Sequence, residues 1–200
     1  MQWVRSVLRC AAAAVIAAAV AAPACATTLI RAGLEDLVES NATIVVGEVR
    51  DVRSYWNQEG SFILTDVRVT VHDVLKGDPR ARELKVTLLG GTVGDLTTLI
   101  VGGPELIPGG SYVLFLDQLN LPGVRGVRGV RNLSQGVFDI RLADDGLRAV
   151  SQAKSESLVP DARGQIEIPG GTEGLPLGTM MHRIRDLVAR PEGLGREVQR

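Results

Sequence analysis

The chain holds two histidines, His72 and His182, and two cysteines, Cys10 and Cys25. Metal capture needs several imidazole, thiolate or carboxylate groups brought together. His72 falls on the polar face of a predicted strand and His182 on a predicted terminal helix, so both read as surface residues. A carboxylate-only calcium site at Asp144-Asp145 competes with a turn, and the neighbouring Gly146 makes the turn the better reading. No G-x-S-x-G elbow occurs to activate a serine. Gly90-Gly91 and Gly102-Gly103 lack the lysine of a phosphate-binding loop and open no helix, so turns account for them. Any two acids can meet in a fold to form a paired-carboxylate site, but few aromatic residues are at hand to hold a sugar. Nothing in this inventory calls for a cofactor.

Two surface features remain. Tyr55-Trp56 puts adjacent aromatics beside a predicted hairpin tip, where they either anchor a partner or plug the end of the sheet. The repeat GVRGVRGVRN, residues 123–132, carries Arg125, Arg128 and Arg131 on what reads as a surface loop, able to meet an acidic surface or simply to be solvated.

The elements that must position these residues are mostly strands. LIRAGLEDLVESN spaces Leu34, Leu37 and Val38 for a short amphipathic helix that Asn41 stops. ATIVVGEVRDVRSYW follows as a strand in which Gly47 marks a bulge or bend. In SFILTDVRVTVHDVLKGD, Ile63, Thr65, Val67, Val69 and Val71 alternate with Asp66, Arg68, Thr70 and His72, one side core and the other wet. Asn57-Gln58-Glu59-Gly60 joins the two into a long hairpin. A third strand spans Glu83 to Leu89, a short one is expected near Leu99 to Val101, and SYVLFLD, Ser111 to Asp117, is a buried strand. A second hairpin, Gly136 to Leu142 and Leu147 to Val150, turns at Asp145-Gly146. Residues 151–174 are polar and glycine-rich and are expected to be mobile. LGTMMHRIRDLVAR is a helix with Met181, Ile184, Leu187 and Val188 on its apolar face, Thr179 as N-cap and Pro191 as terminator.

Residues 1–26 have the layout of an export signal: Arg5 and Arg9, an alanine-rich apolar run from Ala11 to Ala22, then Pro23 and the small pair Ala24 and Ala26. The run is too short to span a membrane, which takes roughly 20 apolar residues. Cleavage after Ala26 leaves Thr27 as the terminus; a competing cut leaves Cys25. Ala22 and Pro23 stand where a lipoprotein signal has leucine and a small residue, which argues against a lipid anchor at Cys25. Beyond Ala26 there is no cysteine, so neither disulfides nor thiolate chemistry serve the domain. The chain carries 22 basic and 23 acidic residues. Two of the basic ones lie in the leader, so the mature domain is slightly acidic and nothing points to nucleic acid. Residues 27–150 read as one β domain with its N-terminal helix, and residues 175–200 as a C-terminal amphipathic helix and tail.

The motifs ATIVVGEV, TDVRVTVHDVLKGD, ELKVTLLGG and PGGSYVLFLD together resemble a broad group of uncharacterised exported bacterial proteins. Their order, over roughly Ser40 to Asp117, is also similar to the netrin-like domain, the OB-type barrel of tissue inhibitors of metalloproteinases and complement C-terminal domains. The resemblance implies a small antiparallel OB-like β-barrel with short flanking helices. It also implies an inhibitor or accessory of a secreted metalloprotease, but those inhibitors use disulfides and an N-terminal cysteine that chelates zinc, which a chain starting at Thr27 lacks. Residue chemistry alone favours a non-enzymatic module of the periplasm or extracellular space. Its partner is then another exported or envelope protein, met through Tyr55, Trp56, Arg125, Arg128, Arg131 or the terminus at Thr27. A carboxylate-based hydrolase is the third alternative. Mass spectrometry of the chain exported by a bacterial host is expected to find an unlipidated amino terminus at Thr27; a lipid-modified Cys25 is the contrary outcome.

Overall fold

The computed structural model describes residues 29–153, 158–159 and 173–190. The leader with Cys25 and Thr27, most of the stretch expected to be mobile, and Pro191 with the residues after it lie outside the described residues.

Two antiparallel neighbours, β2 (Thr43–Trp56) and β7 (Ser111–Leu121), form the middle of the fold. Their cores, Ile44-Val45-Val46 and Tyr112 to Leu116, are unbroken apolar runs, the pattern of strands covered on both faces. Val45, Leu114 and Leu116 enter one core layer, while Ile44, Val46, Val113 and Phe115 enter another on the opposite face. The remaining elements build outward from this pair. β3 (Ile63–Lys76) and β4 (Glu83–Leu89) add to the β2 side, and β9 (Val137–Ala143), β10 (Gly146–Ser151) and the short β12 (Leu175–Pro176) add to the β7 side. β8 (Val124–Gly129) pairs with the far end of β7. All pairings in this eight-stranded sheet are antiparallel. Separate two-residue strands, β1 (Leu29–Ile30) and β11 (Leu158–Val159), pair in parallel, and β5 (Gly91–Val93) with β6 (Leu96–Thr98) makes a small hairpin.

The first layer gathers Val49, Val67, Val69, Leu84, Val86 and Leu114 with loop residues Leu106 and Val130, and no helix contributes to it. The sheet encloses this layer by curling. The second layer is roofed by α1 (Leu34–Ser40) and α2 (Leu177–Ala189). Leu37, Met180 and Ile184 pack there on Ile44, Phe115 and Phe138, and the two phenylalanine rings meet tilted with centroids 5.7 Å apart. Polar anchors fix the roof. Asp36 accepts the Gly33 N–H at the start of α1 (3.0 Å) and Asn41 donates to the Leu37 carbonyl at its end (2.9 Å). α1 has no basic residue in its last turn, and Lys76, from the end of β3, donates to the Val38 carbonyl at 2.6 Å. A cation there suits the negative end of the helix. Arg185 of α2 reaches Asp73 of β3 at 2.5 Å.

Three register shifts interrupt the β2–β3 ladder, at Ile44/Val45, Val46/Gly47 and Val49/Asp51. Each leaves one unopposed residue, Leu75, His72 and Arg50 respectively, and bends the hairpin. The second shift, at His72, brings Val71 and Val74 to the same core layer although they are three residues apart, and so turns Leu75 toward the helices. Gly47, expected at a bulge, sits at one. A Cβ added there falls 2.6 Å from both the Thr70 carbonyl oxygen and a Val69 methyl.

Several expectations are corrected. The paired path from β12 to β4 is open, so no closed barrel is found among the described residues: β8 spends its ladder on β7, and it lies against β4 without pairing to it. The arginine repeat is not a free loop but the strand β8, because Gly123, in the left-handed region at φ 74°, turns the chain back on β7. Leu99 to Val101 forms no strand; the short pairing occurs earlier, at β5 and β6. Thr179 is not the N-cap of α2. The helix starts at Leu177 directly after Pro176, whose ring presets a φ of −51°. Its buried residues are Met180 and Ile184, and Val188 is exposed.

Replacing Gly47 by alanine is expected to lower unfolding stability by about 1–3 kcal/mol, the usual range for overpacking, with far-ultraviolet circular dichroism unchanged. Urea unfolding checks this.

Candidate functional site

Beyond Val49, β2 leaves β7: the Val49 N–H donates to the Gly110 carbonyl and the Gly109 N–H to the Val49 carbonyl, and the ladder to β7 stops. The β2–β3 hairpin continues past this point to its tip at residues 56–63. One row of side chains, Val52, Ser54 and Trp56, faces the layer enclosed by the sheet, with Ile63, Thr65 and Val67 opposite. Trp56 ends that row where the core gives out, and it is 40% exposed. Phe62, across the loop, is 39% exposed.

Asn57 holds the tip in shape. It is almost fully buried. Its Oδ1 accepts from the N–H groups of Ser61 (2.8 Å) and Phe62 (3.1 Å), while its Nδ2 donates to Ser61 Oγ (3.1 Å) and to the Pro122 carbonyl (3.3 Å). Backbone bonds from Asn57 N–H to Phe62 O and from Gly60 N–H to Asn57 O complete the loop. The bond to Pro122 ties this tip to the β7–β8 turn, where a Cβ on Gly123 falls 3.1 Å from Asn57 Nδ2. Two turns thus brace one another and present Trp56 and Phe62 on a fixed base.

Tyr55 points to the other face. Its hydroxyl donates to Asp66 Oδ1 (3.1 Å), which also accepts from Thr87 Oγ1 (2.8 Å), and Lys85 Nζ lies 3.2 Å from Asp66 Oδ2. Burial, and then the charge and hydrogen bond of Asp66, raise the Tyr55 pKa above the ordinary 10.0. The expected aromatic pair therefore splits: Trp56 stays at the tip while Tyr55 is committed to an internal network. Beside the tip, the β5–β6 hairpin is moored by the Thr92 N–H to Ser54 Oγ (3.3 Å). It and the following loop carry Leu96, Leu99 and Val101, all strongly exposed.

The three arginines are not equivalent either. Arg131 pairs with Asp117. Arg125 and Arg128 lie on β8, Arg125 exposed and Arg128 half-buried, and neither side chain enters a hydrogen bond or ion pair among the described residues. His72 is exposed, 3.8 Å from Glu48, and His182 pairs one helical turn on with Asp186 at 3.2 Å. Asp144 and Asp145 form the β9–β10 turn, and Asp145 accepts from Arg148 of β10 at 2.6 Å. Among the described residues no three histidine, aspartate or glutamate side chains gather to hold a metal, and no helix is long and apolar enough to cross a membrane.

A cavity of about 340 Å³ opens where β7 begins beside β9, lined by Glu105, Ile107, Tyr112, Asp139, Arg141 and Gln152 among others. Tyr112 is a core residue whose ring covers Gly110 and whose hydroxyl accepts the Ile107 N–H at 3.1 Å. Burial pushes its pKa up; the Ile107 N–H pulls it down, and the charges of Asp139 and Glu105 raise it again.

No protein-family model matches the chain, and no curated protein does.

From sequence Asn57 is a turn residue only, with no bracing role, and Phe62 has no role at all. The readable signal was an asparagine opening a loop that contains glycine, since asparagine side chains bond the backbone a few residues on. The cavity residues come from three separate segments and carry no local signal. Asn57→Ala is expected to cost about 1–3 kcal/mol, because buried partners lose their bonds, and to speed amide exchange at Ser61 and Phe62. Hydrogen-exchange NMR with urea unfolding measures both.

Proposed function

We propose that this chain is an exported, non-enzymatic protein-binding module of the bacterial periplasm or extracellular space, and that the braced tip carrying Trp56 and Phe62 is its contact surface. The observation that carries this reading is the contrast between exposure and rigidity. Two large aromatics stay partly in water while the loop beneath them is fixed by a buried asparagine. Aromatic anchors dominate binding energy at protein interfaces, and a preformed loop avoids the ordering entropy a flexible one loses on binding. The exposed Leu96, Leu99 and Val101 beside the tip supply further apolar area.

The scaffold we propose for this tip is an OB-like, netrin-like barrel left open at one seam. In its support, the strands can be traced in a ring, β2-β3-β4-β8-β7 and back to β2. The pairing directions make β4 and β8 run the same way, and at Gly129 the two come so close that a Cβ there would fall 2.9 Å from the Thr87 carbonyl oxygen. Against the hydrolase alternative, both oxygens of Asp139 are already engaged, by Gln152 and Arg141. Among the described residues lining this cavity, the carboxylate beside Glu105 is thus neutralised by Arg141 and held by Gln152, which does not favour it as the second acid of a hydrolytic pair.

The test is recovery of a partner from the native envelope fraction by the wild-type chain and by a Trp56→Ala, Phe62→Ala chain of unchanged fold. Loss of the partner, with affinity weakened by about 2 kcal/mol or more as expected for interface anchors, bears the reading out. Equal recovery by both chains removes the tip from consideration.

A further inference from the structure

We propose that the cavity between the start of β7 and the β9–β10 hairpin is a binding site for a guanidinium group on an alkyl stem, the chemistry of an arginine side chain offered by a protein partner. The site is separate from the aromatic tip and does not rest on it.

Glu105 supplies the main acceptor. The Gln152 side chain clamps its backbone, accepting from the Glu105 N–H at 2.9 Å and donating to the Glu105 carbonyl at 2.8 Å. This bidentate amide clamp fixes where residue 105 stands while leaving its side chain out of the bonding. The Glu105 carboxylate has no hydrogen bond or ion pair among the described residues.

The second carboxylate in the cavity is already spoken for. Asp139 accepts from Gln152 Nε2 at 2.6 Å through one oxygen and from Arg141 at 2.5 Å through the other. Arg141 and Asp139 cancel, so the lining keeps one net negative charge, that of Glu105. An anion would meet Glu105 and find Arg141 paired, whereas a cation completes the balance.

The remaining walls suit an alkyl cation with a forked head. Tyr112 Oη already takes the Ile107 N–H at 3.1 Å, and its second lone pair can accept another donor. Ile107, about half exposed, flanks the opening, where it can cover the methylene stem of a basic side chain. A planar guanidinium offers parallel N–H donors to a carboxylate, which a lysine ammonium cannot reproduce.

The probe is N-acetyl-arginine N-methylamide, titrated into the nitrogen-15-labelled full chain and followed by backbone amide shifts. Saturable shifts at Ile107, Tyr112 and Asp139 are expected, with a weaker response to the lysine analogue and none to the norleucine analogue. Glu105→Gln keeps the backbone clamp, so it should fold normally and bind the probe about fivefold less tightly, the scale of an exposed ion pair. Trp56→Ala should titrate as wild type does, which separates failure here from failure of the tip. Shifts that never saturate, an equal response to norleucine, an unchanged affinity in Glu105→Gln, or preferential binding of inorganic phosphate at these amides would each overturn the assignment.

Discussion

The structure turns on one constraint: the two central strands are apolar on both faces, so both faces must be covered. β2 and β7 carry adjacent aliphatic residues that cannot all point one way. Ile44 and Phe115 need a roof, and Val45 and Leu114 need a second one. The chain meets the first need with two short helices and the second by curling the sheet upon itself. The fixtures around the core follow from this division. Lys76 on the end of α1 and Arg185 on Asp73 hold the helical roof, and the bulges in β2–β3 supply the bend.

The same bend explains where the tip stands. Because the ladder between β2 and β7 ends at Glu48, the outer half of the β2–β3 hairpin projects beyond the sheet's middle. Its inward row runs out of core at Trp56. An aromatic at the last position of such a row is half covered by its own strand and half open, and the buried Asn57 beneath it stops the loop from folding over it. The cavity beneath Gln152 arises at the corresponding place on β7. There Tyr112 is the first residue of β7 to pair with β9, and the connecting loop is held by a side-chain clamp in place of a ladder.

How much was legible depended on whether the signal was local. Strand spacing in β3 and β4, the turn at Asp145-Gly146, the bulge at Gly47 and the helix ended by Asn41 are all consequences of alternation or backbone freedom within a few residues. They were readable. The arginine repeat was misread because its composition resembles a loop, and its strand form comes from pairing with β7 after the turn at Gly123. The N-cap of α2 was misplaced for a similar reason. Thr179 is a good cap in isolation, but the pairing of Leu175–Pro176 with β10 starts the helix earlier. Of the residues singled out for binding, Trp56 stands at a surface, while Tyr55 and Arg131 are held by Asp66 and Asp117.

By itself the sequence determined the type of most elements, the alternating core and the scarcity of metal-ligating and nucleophilic groups, because these depend on residue type and near-neighbour spacing. The tertiary structure alone decided that Tyr55 and Trp56 part company, that Asn57 joins two distant turns, and that Glu105, Tyr112, Asp139 and Gln152 line one cavity. Those outcomes are set by contacts between segments far apart in the chain, and hydrogen-bond partners chosen across such distances leave no periodic trace in either segment.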